Sequence, residues 1–247
     1  MRKFGLIGYP LGHSFSKKYF TEKFVREVIQ GCQFELYPIE NISEFPQLLD
    51  VEASLEGLSV TIPYKEQVIP YLDALDPACA QIGAVNCIRI RDGKKIGFNT
   101  DYLGFKQSLQ SWLGTEIPNA LVLGTGGASK AVQQALRDLG TPYRIVSRNQ
   151  IEGQLTYDDL RDQPEWLASH SLIINTTPLG TYPQVEGLPD IPLEQLHAAH
   201  RVYDLVYNPT ITRLMQECIA RGGTAKNGQD MLELQAEAAW SIWNRPT

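Results

Sequence analysis

Ala120-Leu121-Val122-Leu123-Gly124-Thr125-Gly126-Gly127-Ala128-Ser129 is the stretch on which the fold turns. Four apolar strand formers run into a glycine cluster, and a helical pattern from Ser129 to Leu139 follows. Strand, glycine turn and helix in that order form the context of a dinucleotide site. Glycines let the backbone turn tightly and approach a pyrophosphate, whose charge the free N–H groups of a helix N-terminus then stabilise. Ser129 stands where the usual fingerprint has its third glycine, and an ordinary tight strand-to-helix turn gives the same string.

The next strand, Tyr143 to Ser147, ends in Ser147-Arg148-Asn149. An NAD site usually offers an acidic side chain here to the ribose hydroxyls. A guanidinium suits a 2′-phosphate instead, through paired charge-assisted hydrogen bonds, and so points to NADP. A solvated surface arginine is the plainer reading of Arg148.

Further strands at Ser171 to Asn175 and Arg201 to Val206, with a helix from Thr210 to Ala220, extend the βα alternation of a Rossmann-like unit. Upstream, a helix from Asp101 to Leu113 precedes the breakers Gly114 and Pro118, which sets a domain boundary near residue 102.

The first hundred residues read as a mixed α/β domain. Strands are expected at Phe4 to Gly8, Gln33 to Ile39 and Gly57 to Ile62, with helices from Lys17 to Ile29 and Ser43 to Leu49. Ala84 to Arg91 and Lys95 to Phe98 flank Asp92-Gly93, a hairpin signal because both residues tolerate positive φ. A last helix spans Gly228 to Trp243 and carries Met231, Leu232, Leu234, Ala238 and Trp240. The expected architecture is therefore two α/β domains, residues 1–102 completed by 228–247, and residues 103–227.

Composition sets the outer limits. The 247 residues are 43% hydrophobic and 20% charged, with no apolar run long enough to span a bilayer. Met1 to Gly8 has a basic pair and an apolar stretch too short for a signal-peptide core, so a cytoplasmic protein without membrane contact is expected. A net charge of -6 without a basic stripe argues against nucleic acid. Cys32, Cys79, Cys87 and Cys218 form no CxxC pair, and His197 with His200 lacks further ligands. Neither a metal site nor a disulfide framework is indicated.

Several polar residues fall where chemistry could occur. Gly12-His13-Ser14-Phe15-Ser16 lies between the first strand and first helix, where two hydroxyls can bind a carboxylate or simply cap the helix. In Ser59-Val60-Thr61-Ile62-Pro63-Tyr64-Lys65, the alternate residues Ser59 and Thr61 face the same way, and Lys65 emerges past the strand end. Ligands of open α/β sheets sit at that end, so Lys65 is either a proton donor and charge stabiliser or a solvated surface lysine. Asp101, in Asn99-Thr100-Asp101, can pair with such a lysine or serve as an N-cap. Asn86, in Gly83-Ala84-Val85-Asn86, offers donor and acceptor at a strand start or stabilises a turn. No Ser-His-Asp or Cys-His order suggests a hydrolase.

Taken together these stretches resemble the shikimate dehydrogenase family, in order and across almost the whole chain. The matching segments are Gly8-Tyr9-Pro10 through Ser16, Ser59 through Lys65, Gly83 through Asn86, Asn99 through Asp101, Gly124 through Ala128 and Ser147-Arg148-Asn149. They continue with Asn175 through Gly180, Tyr203 through Thr210, and Asn227 through Leu232 with Gln235-Ala236.

The resemblance implies an N-terminal mixed α/β substrate domain and a C-terminal Rossmann-like NADP-binding domain. It implies reversible reduction of 3-dehydroshikimate to shikimate by NADPH, in aromatic amino acid biosynthesis, by a monomer or homodimer. By the same resemblance, Lys65 and Asp101 are the catalytic pair. Ser14 and Ser16 bind the substrate carboxylate, and Ser59, Thr61, Asn86, Tyr207 and Gln235 surround the ring hydroxyls. Gly124, Gly126, Gly127 and Ala128 hold the pyrophosphate, Ser147, Arg148 and Asn149 the 2′-phosphate, and Leu205 and Gly228 the nicotinamide.

Two departures from the family pattern bear on function. Lys17 replaces a common proline, and Ser59 a common asparagine, which shortens a side chain near the substrate and could relax hydroxyl recognition. A quinate/shikimate dehydrogenase or a paralogue with another hydroxy-acid substrate is therefore the nearest alternative. A non-catalytic NADP-binding sensor is the alternative from another class.

Overall fold

The computed structural model describes residues 1–12 and 14–245. His13, in the stretch between the first strand and first helix, lies outside the described residues. The chain divides into two compact units, residues 1–104 with 233–247 and residues 105–232. Both breaks fall inside continuous helices, after Gly104 and after Leu232. Among the described residues no helix is long and apolar enough to cross a membrane.

The first unit is built from β1 (Arg2–Gly8), α1 (Phe15–Arg26), β2 (Cys32–Pro38), α2 (Phe45–Val51), β3 (Leu55–Val60), β4 (Ala74–Leu75), α3 (Pro77–Ile82), β5 (Cys87–Arg91), β6 (Lys94–Phe98) and the start of α4 (Thr100–Leu113). Its strands form one mixed sheet in the order β2-β1-β3-β5-β6-β4. β1 pairs parallel with β2 and β3, whereas β5 runs antiparallel to β3 and β6. Asp92 and Gly93, both at positive φ, close the β5–β6 hairpin.

Alternation along β1 sends Phe4 and Leu6 to one face and Ile7 to the other. The first face is aromatic. Trp243 is fully buried there, its ring stacked 5.0 Å from that of Phe4 and its Nε1 donating to the Ile88 carbonyl at 3.0 Å. A Cβ at Gly57 would lie 2.3 Å from the Trp243 ring, so the indole needs a strand residue without a side chain beneath it.

The second unit continues α4 and adds β7 (Ala120–Leu123), α5 (Gly127–Asp138), β8 (Tyr143–Ser147), β9 (Leu155–Thr156), α6 (Tyr157–Asp162), α7 (Glu165–Ser169), β10 (Leu172–Asn175), β11 (Arg201–Asp204), α8 (Arg213–Ala220), β12 (Thr224–Asn227) and the first turn of α9 (Gln229–Asn244). All its strand pairs are parallel, in the order β12-β11-β10-β7-β8-β9. β7 and β10 sit side by side although β8 follows β7 in sequence, so strand order reverses beside β7. That reversal is the topological switch point at which open α/β sheets bind ligands. An aliphatic cluster joins Leu121, Leu123, Ile173 and Val202 to Leu160 of α6, Leu167 of α7 and Leu214 of α8, while Tyr203 packs edge-on against Phe105 of α4, ring centroids 5.0 Å apart.

Some elements differ from the sequence reading. The strand expected to reach Val206 stops at Asp204, because the Asp204 carboxylate takes the Val206 N–H at 3.1 Å and turns the chain. The helix expected from Thr210 begins at Arg213, with Thr212 as its cap. The strand expected from Ala84 begins at Cys87. Ahead of it, the Val85 N–H is spent on the Lys65 carbonyl, at 2.7 Å.

Candidate active site

Lys65 follows β3 on a loop pinned from below. Tyr64 is buried, and its hydroxyl donates to the Ile39 carbonyl at 2.7 Å. The Lys65 carbonyl is itself held by Val85. The side chain is thereby aimed, and its Nζ lies 2.7 Å from Asp101 Oδ2 in an ion pair whose partners are only 23% and 15% exposed. Such shelter raises the value of the pair above that of a solvated surface pair, which is worth about 0–1 kcal/mol.

Asp101 sits in the first turn of α4 without capping it. The cap is Asn99, whose Oδ1 accepts from the Tyr102 N–H at 3.0 Å while its Nδ2 donates to the Ala84 carbonyl at 2.8 Å. With another residue serving the helix end, the Asp101 carboxylate is available to Lys65. Asn86 completes the support. Its Oδ1 accepts from the Thr100 N–H at 2.5 Å, and its Nδ2 donates to the Thr100 hydroxyl at 2.9 Å. That hydroxyl lies 3.4 Å from Gln235 Oε1. Asn86, Thr100 and Gln235 are thus a buried polar chain within the first unit, and Thr100 is its fully enclosed centre. The sequence reading gave Thr100 no role, although a threonine between two polar helix-start residues is a recognisable linker.

Ser59 is 8% exposed on β3, and Thr61 follows just past the strand end. The Thr61 methyl is positioned by Gly8, where any Cβ would lie 2.4 Å from it. Ser14 is the N-cap of α1, accepting from the Lys17 N–H at 3.3 Å. Ser16, expected in the loop, is inside the first turn of the helix. Lys17, where the family pattern has proline, lies in the same turn. Its Nζ donates to the Phe34 carbonyl and pairs with Glu35 at 2.6 Å, tying α1 to β2.

In the second unit, Gly124 leaves β7 at φ +107, a conformation favouring glycine, and a Cβ there would lie 2.8 Å from Thr176 Oγ1. α5 then starts at Gly127 with Gly126 as an N-cap that offers no side-chain hydrogen bond. Since Lys130 is the first residue bonded back, to Gly126, the N–H groups of Gly127, Ala128 and Ser129 have no partner within the helix. Cβ atoms built at Gly126 and Gly127 meet nothing within 4 Å. An open, uncapped helix N-terminus of this kind fits a pyrophosphate.

A hollow of about 980 Å³ has Gly124, Gly126, Ser147, Arg148 and Asn149 in its lining. Ser147 Oγ accepts from the Asn149 N–H at 3.2 Å and shapes the turn that carries Arg148. Among the described residues the Arg148 guanidinium has no hydrogen bond or ion pair.

Leu205, Tyr207 and Gly228 also belong to the second unit. A Cβ at Gly228 would lie 2.1 Å from the Leu205 carbonyl oxygen, so these two backbones touch. The segment bearing Leu205 and Tyr207 is anchored by fully buried Asp204. Its carboxylate accepts from Asn175 Nδ2 at 2.9 Å and the Thr212 hydroxyl at 2.6 Å, and burial pushes its pKa up. An acidic residue directly after Val202-Tyr203 at a strand end was a visible signal for such an anchor, and the sequence reading left Asp204 and Asn175 without individual roles.

A separate hollow of about 1080 Å³ lies in the first unit among Arg2, Leu55, Glu56 and Arg91, at the amino ends of β1 and β3. It contains neither Lys65 nor Asp101, and parallel strands present ligands at their carboxyl ends.

Residues 6–88 match the model of the shikimate dehydrogenase substrate binding domain. The chain is 35% identical to shikimate dehydrogenase (NADP(+)) of Geobacillus kaustophilus (strain HTA426), over 97% of its own length and 91% of that protein's. It is 37% identical to the enzyme of the same name from Chlorobium chlorochromatii (strain CaD3), over 98% and 91%. Among solved structures, shikimate 5-dehydrogenase from Thermus thermophilus in complex with NADP(H) and shikimate matches with a TM-score of 0.86 and 28% identity, covering 99% of this chain and 94% of that one. Agreement of this kind along nearly its full length, on two sheets of the expected kinds, makes the chain a member of the shikimate dehydrogenase family.

Proposed function

We propose that the protein catalyses the reversible reduction of 3-dehydroshikimate to shikimate with NADPH, with Lys65 and Asp101 as its catalytic pair. The 2.7 Å contact between their side chains carries the reading. NADP(H), when bound, supplies or takes up the hydride. The Lys65 ammonium donates a hydrogen bond to the substrate oxygen on which negative charge develops, and Asp101 fixes the direction of that donor. Either member of the pair can carry the proton.

Ser14 and Ser16 supply hydroxyls to the substrate carboxylate beside the α1 N-terminus. Ser59, Thr61, Asn86, Tyr207 and Gln235 supply donors and acceptors to the ring hydroxyls. Gly124, Gly126, Gly127 and Ala128 cradle the pyrophosphate, and Leu205 and Gly228 border the nicotinamide. Ser147 and Asn149 shape the loop from which Arg148 meets the 2′-phosphate. A cytoplasmic monomer or homodimer, without nucleic-acid partners, goes with this reading.

The test is a steady-state assay of reduced nicotinamide absorbance, with shikimate or quinate crossed against NADP+ or NAD+. Turnover of shikimate with NADP+ is expected. Silence in every combination, with nucleotide still binding, would replace the enzyme by a sensor, a role that needs no lysine–carboxylate pair. The second reading, a quinate/shikimate dehydrogenase, is favoured by the short Ser59 side chain, and quinate turnover comparable to that of shikimate would select it.

A further inference from the structure

The second-unit hollow that Arg148 lines holds further charges. α6 and the segment around Asp190 contribute Asp158, Asp159, Arg161 and Asp190 to its lining. Arg161 is already engaged, its Nη1 2.5 Å from Asp190 Oδ2 and its other terminal nitrogen bonded to Asp158. Asp159 is committed to the capping box of α6, accepting from the Thr156 N–H at 2.7 Å and its hydroxyl at 2.8 Å. Those bonds hold its carboxyl below the usual carboxylate range, so it stays charged.

The lining therefore holds two cations against three carboxylates, and among the described residues only Arg148 of the two cations is uncommitted. Tyr157 reports how close the opposing groups are. Burial first raises its phenol pKa; Arg148 then lowers it and Asp190 raises it, so cation and carboxylate act on the same hydroxyl. A 2′-phosphate brings roughly 1.5 to 2 negative charges into this lining. A bare 2′-hydroxyl brings none and can donate to a carboxylate.

We infer that Asp158 and Asp190 are specificity-determining residues that hold Arg161 away from the 2′-phosphate, so that the protein binds NADH alongside NADPH with only a modest preference for the latter. The inference rests on the cofactor reading above and deepens it. Arg148 alone attracts the phosphate, while the two aspartates occupy the cation that would double that attraction. Both carboxylates are largely solvated, with 76% and 74% side-chain exposure, so replacing them leaves the core untouched.

The test is an equilibrium fluorescence titration of NADPH and NADH on the full chain, which does not depend on turnover. The unmodified protein should prefer NADPH by about tenfold or less. In the double variant Asp158→Asn/Asp190→Asn, NADPH should bind about three- to tenfold more tightly while NADH changes by less than about twofold. Adding Arg161→Gln to that variant should abolish the gain. An NADPH preference beyond about 10³-fold in the unmodified protein, an unchanged ratio in the double variant, or a gain that survives loss of Arg161 would each overturn this inference alone. Failure of both nucleotides to bind would overturn it together with the cofactor reading.

Discussion

The polar groups assigned to the proton transfer and those assigned to the nucleotide phosphates are treated in opposite ways by the two units. In the first, the groups are already joined to one another: Lys65 to Asp101, and Asn86 through Thr100 to Gln235. In the second, donors stand open: Gly126 leaves the start of α5 uncapped, and Arg148 has no partner among the described residues. Proton transfer needs a donor held in a fixed direction before substrate arrives, because orientation supplies much of the rate. Phosphate binding needs donors whose previous commitments are few, since each bond broken on binding is subtracted from affinity.

The contrast breaks most visibly at Lys65. Lys65→Ala should lower turnover about 10²–10⁴-fold, with the fold kept and NADPH affinity nearly unchanged. Steady-state kinetics beside a nucleotide titration checks this, and near-normal turnover would end the assignment. On the stability side, Trp243→Ala should cost about 3–5 kcal/mol, since it removes the largest buried ring of the first unit. Denaturant titration measures the loss, and a change below about 1 kcal/mol would mean the aromatic layer is not the core it resembles.

The open cradle gives a sharper instrument. Gly126 sits at φ -73 with empty space around its missing Cβ, so Gly126→Val should fold normally. Its branched side chain fills the cradle, and NADPH affinity should fall about tenfold or more, roughly 1.4 kcal/mol. Equal loss of stability and affinity would show that the turn is structural only.

The smallest effect concerns pH. His170 and His200, both in the second unit, have pKa values lowered from 6.5, chiefly by burial. The unfolded chain then binds more protons than the folded one below pH 6.5. Their stabilising contribution is therefore complete above that pH and is lost progressively beneath it, as each imidazole must take up a proton in a site that disfavours the charge. Unfolding followed across that window should show the decline, and His170→Gln/His200→Gln should flatten it. A slope unaffected by the double variant would assign the acid sensitivity elsewhere.

How far the sequence disclosed all this depended on what set each element. Ala120–Leu123 and Tyr143–Ser147 were legible to the residue, because apolar runs bounded by breakers need no tertiary information. β4, β9 and β12 went unread, being two to four residues long with mostly half-exposed side chains whose extended form comes from a neighbouring strand. α6 and α7 went unread because they are only six and five residues long, each with one fully buried leucine and so no helical periodicity to see. At the site, the Lys65–Asp101 distance was a question of geometry that spacing alone left open. Motif order could flag Asp101, whereas freeing it from the capping role required seeing Asn99 take that role. The opposing charges around Arg161 were invisible in sequence, since Asp158 and Asp190 are brought together only by the fold.

Ala236, Ala239, Ile242 and Trp243, contributed by α9, belong to the same buried cluster as Phe4, Phe20 and Phe34. During synthesis on the ribosome, the aromatic face of β1 is made before residues 105–232 and its cover after them. Residues 105–232 emerge in between and can complete their own sheet while Phe4 and Phe20 still lack the indole that seals them. The nascent chain thus carries an exposed aromatic surface while residues 105–232 are made, the kind of surface that chaperones hold and that aggregates when they do not.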